Sequence, residues 1–295
     1  MKTQRGMALV TVLLIIALMT IAAVAAQRQW VTALKNADAQ QFLRQAQWTL
    51  RGAEAWLLKK DSSVKDNQTQ QLQLDDWRVH YRWRDRQHCF NLSALGQPGR
   101  TDEKGLFHLT AAQKVFAQLL MQQGVARKEA VGMVQQLQAK LNPGGVKQWP
   151  VLSDKSELRT SPVFTPARWA ALAPMLCALP ERKLNINLNA LSTADAPLLV
   201  ALLDGNINTT DAAERIRQRP ERGWPTLDAF FADVSGDYRS AVATMQSVAV
   251  TESRHWELQL WLTDSHYFAG LRSQLVRDRQ GFILQHRQFG LSEAP

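Results

Sequence analysis

The sequence predicts an α+β protein in which one long N-terminal helix packs on an antiparallel sheet and a large α-helical lobe is inserted between the strands. Three observations carry this expectation. Met7 to Ala26 (MALVTVLLIIALMTIAAVAA) is an uncharged apolar run, and helical spacing continues beyond it to Lys60. Trp77 to Arg84 (WRVHYRWR) alternates apolar and charged residues with period two, and three further strand-like segments close the chain. Between the two strand groups the pattern is helical. With 295 residues, 45% hydrophobic and 21% charged, the chain is long enough for a main body with a real core plus an added module. The formal charge of +9 favours anionic partners in general, but the Lys and Arg are scattered, so a solvated surface is the plainer reading.

The N-terminal segment comes first. MKTQRG is short and basic through Lys2 and Arg5, and the apolar run behind it is long enough to cross a bilayer as a helix. Leading basic residues place the N-terminus in the cytoplasm and the body outside, with Arg28 at the far boundary. A secretory signal peptide cut after Ala23-Val24-Ala25, or a plain signal anchor, competes with this reading. Gly6 directly before the run, after a short basic leader, resembles a prepilin peptidase site, where the cut falls at Gly6-Met7 and the apolar helix is kept. Past the bilayer, Trp30, Leu34, Ala37, Ala46, Thr49, Ala53, Trp56 and Leu57 recur at helical steps, and Asp61-Ser62-Ser63 reads as the stop. A helix half in lipid and half on a globular body is the type IV pilin-like arrangement.

Strands are expected at Trp77 to Arg84, His255 to Leu262, Tyr267 to Arg277 and Phe282 to Gln288, with Gln280-Gly281 at a tight bend. Helices are expected from Thr110 to Gln123 with Thr110 as N-cap, from Arg127 to Leu141, and from Thr165-Pro166 toward Leu176. Helical patterns then continue from Ser192 toward Gln246. The organisation expected is a leader at 1–6 and a transmembrane half-helix at 7–26. A half-helix with the first strands follows at 27–97, an inserted helical lobe at 98–247, and C-terminal strands at 248–295.

Asp204-Gly205-Asn206-Ile207-Asn208, between two helical stretches, resembles a helix-hairpin-helix turn, in which backbone amides approach a DNA phosphate. That keeps a membrane-anchored DNA receptor of competence type as an alternative. Against it, Asn208 stands where the motif has its second Gly, and the flanking charges are mixed, so a packing unit is expected and no nucleic acid.

His88-Cys89-Phe90-Asn91-Leu92-Ser93-Ala94-Leu95, Leu176-Cys177-Ala178-Leu179-Pro180 and LNINLNA at 184–190, with the leader and the insertion, resemble general secretion pathway protein K. These are large minor pseudopilins of type II secretion. The resemblance implies a single-pass inner-membrane protein with a periplasmic body. It is expected to be cut at Gly6, methylated at Met7, and assembled with other minor pseudopilins, the major pseudopilin and the inner-membrane assembly platform. Thr11 is the fifth residue counted from Met7, where most prepilins carry Glu. A carboxylate in lipid needs a partner, so its replacement by Thr11 matches a tip subunit with nothing above it; a related pilus tip remains the nearest alternative. In an oxidising periplasm, Cys89 and Cys177 are expected to form a bridge, two buried thiols being the other outcome. The resemblance also implies calcium held by an acidic loop. The corresponding stretch at 141–148 (LNPGGVKQ) has no acid, and Asp154, Glu157, Asp204 and Asp211 stand apart, so the metal ligands are unknown and the site is not carried over. No catalytic motif is present and the six histidines are dispersed, so no enzyme is expected.

Overall fold

The structure, a computed structural model, describes residues 4–60, 67–103, 107–232 and 239–290. Helix α1 (Gln4–Lys59) runs unbroken for 56 residues, about 84 Å at helical rise, because its sequence contains no proline. The expected stop at Asp61-Ser62-Ser63 lies outside the described residues. Phe42, Ala46, Leu50, Ala53 and Leu57 are buried and fall on one face at three- and four-residue steps. Four of the residues that recur at helical steps lie outside this packed face. Trp30 is 74% exposed and Leu34 and Ala37 are also exposed, because the sheet begins to cover the helix only near Phe42. Trp56 points outward, with the Lys60 ammonium 4.4 Å from its ring.

The sheet has five strands: β1 (Thr69–Leu74), β2 (Trp77–Asp85), β3 (His255–Thr263), β4 (Phe268–Asp278) and β5 (Gly281–Phe289). They lie in that order and every neighbour pair is antiparallel. Alternation in β2 buries Val79 and Trp83 against α1, joined by Leu258, Leu260, Leu262, Leu271 and Leu275. Strand β1, not expected from the sequence, is an edge strand of TQQLQL whose register on β2 runs from Thr69 opposite Arg82 to Leu74 opposite Trp77. A bulge between Gln274 and Leu275 shifts the register of the β4–β5 pair.

The chain leaves the sheet after β2 and returns at β3, and the intervening lobe builds its own apolar core. Helix α2 (Ala111–Gln122) starts at a Thr110–Gln113 capping box and packs on α3 (Arg127–Leu141). The expected helix from Thr165 toward Leu176 is shorter: α4 (Pro166–Leu172) gives way to a 3₁₀ turn at Ala173–Met175, where Pro174 removes a backbone donor. The run from Ser192 divides into α5 (Ala196–Leu202), α6 (Thr209–Arg217), α7 (Leu227–Ala232) and α8 (Arg239–Val248), with 233–238 outside the described residues. Phe90, Leu92 and Leu95 belong to this lobe's core, beside Phe116, Leu120, Leu137, Leu198 and Phe230.

Orientation follows from the contacts of α1. The Phe42 ring lies 5.8 Å from Trp77 and 5.3 Å from Tyr267, at the start of β2 and just before β4. Glu54, three turns later, meets Ser273 in mid-β4. The end of the sheet holding Asp85, His255 and Asp278 is therefore remote from the apolar half of α1, and that is the end where the lobe is attached.

Candidate assembly surfaces

The first surface is the free half of α1. It is long and apolar enough to cross a membrane, with a mean hydropathy of 2.8 in its most apolar stretch and none of that stretch buried. Gly6 and Met7 lie within the described helical backbone, and Thr11, the fifth residue counted from Met7, is exposed. Two hydroxyls farther along show how this helix satisfies such groups: Thr20 donates to the Ile16 carbonyl at 2.8 Å and Thr32 to the Arg28 carbonyl at 2.9 Å.

A second element fixes the helix to the body. Glu54 is 1% exposed and takes hydrogen bonds from the Ser273 hydroxyl and the Arg287 guanidinium, whose Nε lies 3.3 Å away. One carboxylate thus ties α1 to both β4 and β5. Sequence reasoning missed it, because a lone acid on an amphipathic helix reads as a solvated position.

The third element is the junction between sheet and lobe. Two short parallel bridges pair Phe90–Asn91 with Leu176–Cys177 and Ile186–Asn187 with Ala249–Val250. Buried Asp85 accepts from the Asn187 amide at 2.9 Å, the Ser253 hydroxyl at 2.7 Å and the Gln87 N–H at 2.7 Å. The Gln87 side chain donates to the Asn185 carbonyl at 2.8 Å and accepts from the His255 N–H at 3.1 Å. Asn91 accepts from the Leu179 N–H at 3.0 Å and donates to the Glu181 carbonyl at 2.8 Å. Each of these amides satisfies backbone that would otherwise be buried without a partner. Cys89 and Cys177 are joined by a disulfide here, their Cα atoms 5.8 Å apart. Burial pushes the nearby Arg86 guanidinium down from its ordinary range; Glu257 opposes that shift and Arg272 adds to it.

The hairpin motif is a packing unit. Gly205 adopts φ +76 between α5 and α6, and a Cβ there would collide with the Gln118 side chain of α2. Asn208 caps α6 by accepting from the Asp211 N–H at 2.8 Å. The turn therefore faces another helix, and one of its amides is already engaged.

The residues present do not fit the calcium that the family resemblance implies. In the 141–148 stretch the organising group is the Asn142 side chain, which donates to the Gly96 and Val146 carbonyls at 2.9 Å each and accepts from the Val146 N–H at 3.0 Å. Asp154 and Glu157 spend their oxygens on the backbone amides of a 3₁₀ turn, and hydrogen bonds from Ser156 hold the Asp154 carboxyl below its ordinary range. Among the described residues no group of three or more His, Cys, Asp or Glu is arranged to hold a metal ion.

The comparisons with known proteins agree on one family. The profile described as "Type II secretion system (T2SS), protein K" matches residues 186–251, and a second profile of the same description matches 88–181. A putative type II secretion system protein K of Escherichia coli K12 is 29% identical, over 94% of both chains. Type II secretion system protein K of Klebsiella pneumoniae is 29% identical over 98% of this chain and 97% of its own. That of Pectobacterium carotovorum is 30% identical over 97% of each. Among solved structures, the GspK-GspI-GspJ complex from enterotoxigenic E. coli aligns with a TM-score of 0.65 and 24% identity, covering 87% of this chain and 100% of the matched one. With 30% identity carried across 97% of both chains, and both halves of the lobe matched by its profiles, the protein belongs to the type II secretion system protein K family.

Proposed function

We propose that this protein is the minor pseudopilin at the tip of a type II secretion pseudopilus. In this reading prepilin peptidase cuts between Gly6 and Met7 and methylates the new amine, leaving 295 − 6 = 289 residues. The apolar half of α1 stays in the inner membrane with its N-terminus cytoplasmic and the body periplasmic. The helix joins two other minor pseudopilins, as the GspK-GspI-GspJ assembly of the solved relative suggests, and the resulting complex starts the filament that helps export folded proteins.

One observation carries the reading. The lobe is attached at the end of the sheet remote from the apolar half-helix, the place a further subunit would have to occupy to stack above, and the helix below has Thr11 where most prepilins have Glu. The test is co-purification from native membranes with the other two minor pseudopilins, together with intact mass of the mature chain. A terminus after Ala25 or Ala26 would remove the membrane helix and with it the proposal.

A further inference from the structure

The membrane-distal end of the sheet carries a basic cleft that neither the docking of α1 nor the lobe's core uses. Arg254 precedes β3, Arg277 lies at the end of β4 and Arg279 in the β4–β5 turn, and Arg222 reaches the same space from the loop before α7. The Arg277 N–H donates to the Arg254 carbonyl at 2.7 Å, which fixes two of these positions side by side. The cleft measures about 900 Å³, and Glu252 and Asp278 are the carboxylates in its lining, against four guanidiniums. All four arginines are exposed. Among the described residues the side chains of Arg222, Arg254 and Arg279 make no ion pair or hydrogen bond, while the Arg254 backbone N–H donates to the Gln87 side-chain oxygen.

The floor is held rigidly. Asn189 donates to the carbonyls of Trp224 at 3.0 Å and Thr251 at 2.9 Å, and buried Asn187 and Ser253 are bonded to Asp85 beneath. The guanidiniums of Arg222, Arg254 and Arg279 thus border a space with a fixed floor, where their mutual repulsion is relieved by an anionic occupant.

We propose that this cleft binds an acidic polypeptide segment, a carboxylate-rich loop or terminus of a protein met at the free end of the assembly. Guanidinium forks match carboxylates in bidentate geometry. The lining also supplies the acceptors Glu252 and Asp278, which the backbone N–H groups of a peptide can meet. A volume near 900 Å³ spans several residues where a single phosphate would leave most of it empty. Position excludes inner-membrane headgroups: Glu54 lies about 40 Å along α1 from Ala26, and the arginines at 277 and 279 lie farther out still. The inference rests on the tip reading for its setting, and co-purification with the two partner pseudopilins tests that reading separately.

The experiment uses the full-length chain in detergent micelles and a fluorescein-labelled oligoglutamate peptide, followed by anisotropy at physiological ionic strength. Saturable binding is expected, weakened by about tenfold or more in the Arg254→Glu/Arg279→Glu variant. The Arg127→Glu/Lys128→Glu variant, which reverses two exposed charges at the start of α3, should weaken it less than about twofold. Equal losses in both variants would mean only general charge attraction and would overturn the site. Displacement of the peptide by inorganic phosphate at matched charge would overturn the polypeptide assignment. Absence of binding by protein that still co-purifies with its partners would sink the inference and leave the tip reading standing.

Discussion

Glu54→Ala should loosen the docking of α1 on the body. The substitution strands the Ser273 hydroxyl, which is 0% exposed, and removes the counter-charge of Arg287. Breaking a fully buried ion pair costs about 3–5 kcal/mol. Here the Arg287 side chain is 32% exposed, so its guanidinium regains water and the cost falls to the lower end, about 3 kcal/mol. For a body of this size that corresponds to a fall in unfolding midpoint of roughly 6–12 °C. Thermal unfolding of the full-length protein in detergent, read by fluorescence of the tryptophans in the same core, gives the number. Glu54→Leu combined with Arg287→Met removes both charges at similar volume and should recover about 1–2 kcal/mol of the loss, the Ser273 hydroxyl still lacking its acceptor. A loss below 1 kcal/mol for Glu54→Ala would refute the reasoning. So would a double variant as unstable as the single one, because the ion pair would then not be the cause.

Three further outcomes are expected. Replacing Cys89 and Cys177 by Ser removes a link that closes a separation of 88 residues, worth about 4.6 kcal/mol in the chain-entropy model, so denaturant unfolding of the lobe should shift strongly; an unchanged midpoint would contradict it. Thr11→Glu should leave pulldown of partner pseudopilins unchanged or reduced, and a clear gain would count against the tip assignment. The depressed Asp154 carboxyl contributes stability that is present above its unfolded value of 3.8 and lost as pH falls through the lower folded value. Limited proteolysis of the turn at Lys155–Leu158 should therefore accelerate only below about pH 4, and acceleration between pH 5 and 8 would contradict the capping role.

Period two made β2 legible in the sequence and strand-like composition β3 to β5, and Thr110 as N-cap marked the start of α2. Strand β1 escaped because an edge strand of alternating Gln and Leu buries little and shows weak contrast. The helical steps through Trp30, Leu34 and Ala37 marked the helix, but helical spacing carries no information on where along the axis the body begins, and these three lie exposed before the sheet covers α1. The junction was illegible for a different reason. Asp85, Asn187 and Ser253 are separated by up to 168 residues, and each alone looks like a polar surface position. The Cys89–Cys177 expectation came from compartment and count, neither of which depends on knowing the path of the chain.

The paired crossings between sheet and lobe determine how tension would travel. A pull on α1 enters the sheet through Glu54 and leaves it along β2 into the segment at 86–91. There the disulfide diverts the load directly from Cys89 to Cys177, bypassing α2 and α3, whose packing alone would have to resist being drawn apart. The two bridges beside it pair parallel strands, so a force along them must shear their hydrogen bonds together instead of peeling them one by one. The lobe is thus coupled to the helix beneath it so that a pull loads the disulfide and the two bridges before it loads the packing of α2 on α3.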